Sequence, residues 1–117
     1  MKRILIVDDE EGIREILSRV LSAHQLTVLA SAEEAVVELM AGKRYDAIIT
    51  DVDMSPGISG IELIRIARAN NLLGGANIFV MTGLPTPERV DFCDEIGAVL
   101  LTKPFNIQRF ASLVSGV

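Results

Sequence analysis

Five short apolar runs, each too brief for a helix and each followed by a longer stretch that is apolar on one face, leave few folds open to this chain. The runs are about Arg3 to Val7, Thr27 to Ala30, Ala47 to Thr50, Ile78 to Met81 and Val99 to Thr102. The longer stretches run from about Gly12 to Ala23, from Ser31 to a stop at Gly42, and from Ile61 to Ala69, Pro87 to Ile96 and Ile107 to Ser115. Strand and helix alternating through short loops predict an α/β, doubly wound, five-stranded parallel sheet with helices on both faces, for which the usual order is 2-1-3-4-5. With 117 residues, half of them hydrophobic, and a mean hydropathy of +0.40, one domain over residues 1–117 accounts for the whole chain. No repeat, low-complexity segment or linker interrupts it, and no output domain is expected within it.

Local signals agree with that pattern. In the first helix Ile13, Ile16, Leu17, Val20 and Leu21 share a face, with Arg14, Glu15, Ser18 and Arg19 opposite. Ser31-Ala32-Glu33-Glu34 has the form of a capping box, with Ala35, Val36, Leu39 and Met40 as the buried face behind it. Thr86-Pro87 is a cap followed by a first-turn proline, and Gly97 is a stop. The last helix buries Ile107, Phe110, Leu113 and Val114. Glu10 and Glu11 read as caps that complement the first helix's positive end, while Arg14, Arg89 and Arg109 fit a partner-contact surface or a solvated helix face equally well. His24, the one histidine, reads as solvated or capping.

Charge and cysteine content exclude several classes. A net charge of -5 with no basic stripe argues against direct DNA or RNA binding. One cysteine, Cys93, among Asp91, Asp94 and Glu95, reads as a packing residue rather than a reactive thiol, and points to a reducing, cytoplasmic setting. Met1-Lys2-Arg3 followed by only four apolar residues is neither a secretion signal nor a membrane span.

The chemistry gathers where the strands end. The first run leads into Asp8-Asp9, the third ends at Asp51, the fourth at Thr82 and the fifth at Lys103-Pro104. In an open parallel sheet these carboxyl ends form the crevice that binds ligands, and an acid there is expected to be exposed enough to react. If the first and third strands are neighbours, Asp8, Asp9 and Asp51 converge. Carboxylates so placed repel one another unless a hard divalent cation such as Mg²⁺ binds. Lys103 and Thr82 then supply the cationic and hydroxyl partners that a phosphoryl group requires, and Asp51 can serve as nucleophile through an acyl phosphate.

Four motifs, Val7-Asp8-Asp9, Tyr45-Asp46 through Asp51, Met81-Thr82-Gly83 and Leu101-Thr102-Lys103-Pro104-Phe105, occur in this order over nearly the whole chain. In them the chain resembles the receiver domain of bacterial two-component response regulators. The resemblance implies a flavodoxin-like sheet and a phosphorylation-dependent switch. Asp51 would accept a phosphoryl group from a histidine kinase or histidine phosphotransfer protein. Asp8, Asp9 and Asp51 would hold Mg²⁺ with the backbone carbonyl of Asp53, while Thr82 and Lys103 would contact the phosphoryl group. Pro104 would follow a cis peptide bond. The kinase would dock on the first helix, and a downstream protein or output domain on the face of the fourth helix, fifth strand and fifth helix.

The chain departs from the family pattern at three places. Pro56 and Gly60 lie five and nine positions beyond Asp51, each one later than usual, as though Ser55 or Gly57 were inserted. Counted from that loop alone, Asp53 is as good an acceptor; Asp46, five before Asp51 as in the family, selects Asp51. Leu100 stands where the family carries Tyr or Phe, and Asp53 adds a negative charge beside the acceptor. Two other readings use the same residues. A small Mg²⁺-dependent aspartyl-phosphate hydrolase fits Asp51-Val52-Asp53 but leaves Asp8-Asp9 unexplained, and a degenerate receiver would act only as an interaction module.

Overall fold

The computed structural model describes residues 1–116. Its elements are β1 (Arg3–Val7), α1 (Glu11–Val20), β2 (Gln25–Leu29), α2 (Ala32–Met40), β3 (Ala47–Asp51), α3 (Gly60–Ala69), β4 (Asn77–Thr82), α4 (Pro87–Ile96), β5 (Val99–Thr102) and α5 (Ile107–Ser115). The strands form one parallel sheet, as the alternation predicts, in the usual order for such a sheet, β2-β1-β3-β4-β5.

Residues alternate across the sheet with a period of two, so each strand feeds two core layers. Ile4, Ile6, Ile49, Phe79 and Met81 pack beneath Leu17 of α1 and Phe110 and Val114 of α5. Leu5, Val7, Ile48 and Val80 face Ala35 and Leu39 of α2, Leu63, Ile64 and Ala67 of α3, and Phe92 of α4. β3 lies mid-sheet and is buried along its whole length, which is why its apolar run is continuous. Pairing matches Val7 with Thr50, Asp51 with Met81, and Thr82 with Thr102, so the carboxyl tips stand level.

Several sequence expectations are corrected at the level of single elements. α1 ends at Val20 rather than near Ala23, because the chain turns there and the His24 Nδ1 accepts the Lys2 N–H at 3.0 Å. His24 is therefore a bridge rather than a solvated residue; its Nε2 lies 3.0 Å from Ser115 Oγ. β2 starts at Gln25, whose N–H bonds the Lys2 carbonyl at 2.9 Å. Ile16, Met40 and Leu113, expected in the core, are exposed. The Ser31 cap forms, but Glu34 reaches back to the Ala30 N–H instead of closing a box; the complete capping box is Ser59 with Glu62 on α3. Thr86 caps α4 and Gly97 ends it in the left-handed conformation, both as expected.

Candidate phosphoryl and cation site

Three strand tips deliver the acids and the amine. Asp8 follows β1, Asp51 ends β3, and Lys103 follows β5, its N–H bonding the Thr82 carbonyl at 2.8 Å. The Lys103 Nζ lies 3.2 Å from Asp51 Oδ1, 3.6 Å from Asp8 Oδ2 and 3.7 Å from Glu10 Oε1. Oxygens of Asp8, Asp9, Glu10 and Asp51 all lie within 4.8 Å of one another. The expected convergence of Asp8, Asp9, Asp51 and Lys103 is therefore present.

Two expectations need correcting here. Asp51 is not an exposed acid: only 3% of it is accessible. Glu10 is more than a cap, since it makes no side-chain capping bond and its carboxylate joins the cluster. Arg14 is likewise not simply solvated; its Nη1 donates to the Asp8 carbonyl at 2.8 Å and steadies the turn that presents the acids.

Burial sets the electrostatics. It pushes the Asp51 carboxyl up to about 6, Asp8 adds to the rise, and Lys103 opposes it. Asp8 is raised as well, first by burial, although the Glu10 N–H donating to its Oδ1 at 2.9 Å pulls the other way. For Lys103 burial lowers the pKa, but attraction to Asp51, Asp8 and Glu10 outweighs it and the amine stays charged. One ammonium cannot balance four carboxylates. The residues fit a hard divalent cation: every available donor is oxygen, and Asp8 Oδ2 is buried without a hydrogen-bond partner.

Thr82 and Asp53 belong to a second group beside the pocket. Thr82 is fully buried, and its hydroxyl accepts the Leu84 N–H at 3.0 Å while lying 3.2 Å from the Leu84 carbonyl. Asp53, on the loop after β3, turns its carboxylate to Arg89 of α4, with Nη2 2.8 Å from Oδ1. The Arg89 Nη1 also donates to Thr82 Oγ1 at 2.9 Å. Arg89 is thus a functional candidate at this site that sequence reading placed only on a partner-contact or solvated helix face.

Gly60 explains how closely α3 approaches the acceptor strand. A Cβ there would run into the Asp51 carbonyl and the Thr50 hydroxyl, so only glycine lets the helix begin at that distance. The preceding loop carries a cis peptide at Ser55-Pro56, and its Ile58 N–H bonds Glu33 Oε2 of α2 at 2.7 Å. The Lys103-Pro104 peptide is also cis, as the resemblance implies.

Residues 4–115 match the family model described as the response regulator receiver domain. The chain belongs to that family. The receiver is 34% identical over 107 residues to the sensory/regulatory protein RpfC of Xanthomonas campestris, covering 87% of this chain and 14% of RpfC. It is 37% identical over 108 residues to the response regulator MprA of Mycobacterium ulcerans, covering 91% of this chain and 45% of MprA. The chain therefore spans less than half the length of either relative. Among solved structures it is similar to the chemotaxis protein CheY4 of Vibrio cholerae, with a TM-score of 0.84 at 28% identity, over 100% of this chain and 98% of that one.

Membership makes this a receiver domain with an acidic cation-type pocket, not a conventional enzyme, in a family whose members partner with histidine kinases. Among the described residues no helix is long and apolar enough to cross a membrane. At the site of the second departure, Leu100 is partly buried against the layer beneath α2, α3 and α4. Cys93 is buried with its thiol pushed up by burial and by Asp94, in keeping with a packing role.

Proposed function

We propose that this receiver, over residues 1–117, takes a phosphoryl group on Asp51 from the phosphohistidine of a histidine kinase or phosphotransfer protein. It then signals through protein contacts with a downstream protein or output domain. The observation that carries the reading is the Asp51 carboxylate lying 3.2 Å from the Lys103 ammonium, inside a cluster of four acids. An Asp51 oxygen attacks phosphorus, the P–N bond breaks, and the electron pair leaves with the imidazole, so an acyl phosphate forms. Lys103 faces the transferred group's equatorial oxygens and offsets their charge.

Asp8, Asp9 and Asp51 are the proposed ligands of Mg²⁺, with the Asp53 carbonyl, and Glu10 is close enough to contribute. The cation supplies charge neutralisation and Lewis acidity in a pocket that otherwise repels phosphate. Thr82 is the proposed hydroxyl donor to the phosphoryl group once it leaves its contacts with Leu84 and Arg89. The setting is taken as the cytoplasm, where a lone buried thiol such as Cys93 stays reduced.

The choice of Asp51 over Asp53 is supported by their surroundings. Asp53's side chain is 60% exposed and paired with Arg89, whereas Asp51's is 4% exposed and paired with Lys103. The same pairing weakens the hydrolase reading, which needs the second acid free for proton transfer. Intact-mass spectrometry after adding a small acyl phosphate donor and Mg²⁺ tests the assignment. One phosphoryl group is expected on the wild type and none on Asp51→Asn. Full labelling of that variant, or labelling lost only in Asp53→Asn, reverses it.

A further inference from the structure

Arg89 sits in the first turn of α4, where its N–H donates to the Thr86 cap hydroxyl at 3.3 Å and fixes the root of the side chain. From there the guanidinium spans two loops. Nη2 is 2.8 Å from Asp53 Oδ1, while Nη1 is 3.3 Å from Asp53 Oδ2, 2.9 Å from Thr82 Oγ1 and 3.0 Å from the Leu84 carbonyl. Two protons on Nη1 serve three acceptors, so they are shared. The Thr82 hydroxyl is closed off in turn: it accepts from Arg89 and from the Leu84 N–H, and directs its own proton to the Leu84 carbonyl. All three of its hydrogen-bonding directions are taken on the α4 side.

We infer that Arg89 is a positioning residue that keeps the receiver in its resting form, a clasp joining Asp53 to Thr82 that must open before Thr82 can bond a phosphoryl group. The inference rests on the phosphoacceptor reading of Asp51. A hydroxyl has one proton to give, and here it is given to Leu84. Redirecting it toward Asp51 requires the oxygen to leave the Arg89 guanidinium, which Asp53 holds in place. Asp53 therefore acts on the switch through Arg89, and Arg89 in turn offsets Asp53's charge near the acceptor. Lysine keeps that charge but lacks the planar fork needed to hold a carboxylate and a hydroxyl together.

The test titrates beryllofluoride with Mg²⁺ into wild type, Arg89→Lys and Arg89→Met, and follows the Thr82 methyl resonance with and without the ligand. Loss of one charge-assisted hydrogen bond from the resting form should tighten beryllofluoride binding by Arg89→Lys about three- to tenfold. Its ligand-free Thr82 resonance should move part-way toward the bound position. A variant that merely loosened the fold would bind more weakly. Arg89→Met also uncovers the Asp53 charge, so it should tighten less than Arg89→Lys; the reverse order overturns the role given to Asp53. Affinity of Arg89→Lys no tighter than wild type, or an unmoved Thr82 resonance, overturns the clasp alone. A wild type that takes up no more beryllofluoride than Asp51→Asn overturns the phosphoacceptor reading and the clasp with it.

Discussion

Asp51 is held at about 6 by burial and by its neighbour Asp8, whereas the same group ordinarily titrates at 3.8. Between those values the metal-free folded state binds a proton that the unfolded chain has released, so this group's contribution to stability falls as pH rises through the window. At pH 7 the ionised carboxylate is therefore destabilising. Asp51→Asn, neutral throughout, should exceed wild type by about 1–3 kcal/mol at pH 7 in EDTA, with the gap closing toward pH 4. Urea denaturation at the two pH values reads it, and a gap that widens in acid would contradict the assignment. Asp8, Asp51, Thr82 and Lys103 were legible because each polar residue closes an apolar run. Glu10 and Arg89 were not: their roles come from side chains reaching across loops, which spacing along the chain does not record. Nor does residue type reveal how deep a strand tip lies, so the burial of Asp51 emerges only once β3 is flanked on both sides.

Among the elements, α3 is the one whose placement most constrains the pocket. Its capping box, Ser59 with Glu62, fixes where the helix starts, and Gly60 lets that start press against the Asp51 backbone. Gly60→Ala should displace the first turn and destabilise the fold by about 1–3 kcal/mol, as overpacking at a rigid contact does. Chemical denaturation checks this, and unchanged stability would mean that the helix can slide without penalty. All ten elements were legible from the change of apolar period, but their ends were less so. β2 is an edge strand only partly buried, so hydrophobicity did not mark Gln25, which joins by pairing with Arg3. α1 looked longer because Leu21 continues its apolar face after the helix has turned away. The loop after β3 was legible from its Pro and Gly content, while its anchorage to Glu33 lies outside anything periodicity can show.

At the scale of the molecule, one sheet with a core layer on each side gives a compact body with a Cα radius of gyration of 12.8 Å. The acid pocket works against that body's stability, and a ligand that binds only the assembled pocket should reverse the effect. Mg²⁺ at about a hundred times its dissociation constant should add about 2.7 kcal/mol, raising the thermal midpoint in a concentration-dependent way that EDTA abolishes. Asp8→Asn should lose most of that gain. A midpoint indifferent to Mg²⁺ in the wild type would count against the cation site. The sheet order was legible only as the usual one for five such units, since right-handed crossovers narrow the arrangements of parallel strands without selecting one. The loop after β3 has one more consequence. Its Ile58 amide is gripped by the Glu33 carboxylate at 2.7 Å, which ties the loop to a neighbouring helix. Drawing that loop away from α2 would break this tether, so the loop's freedom is set partly by a side chain in the first turn of α2.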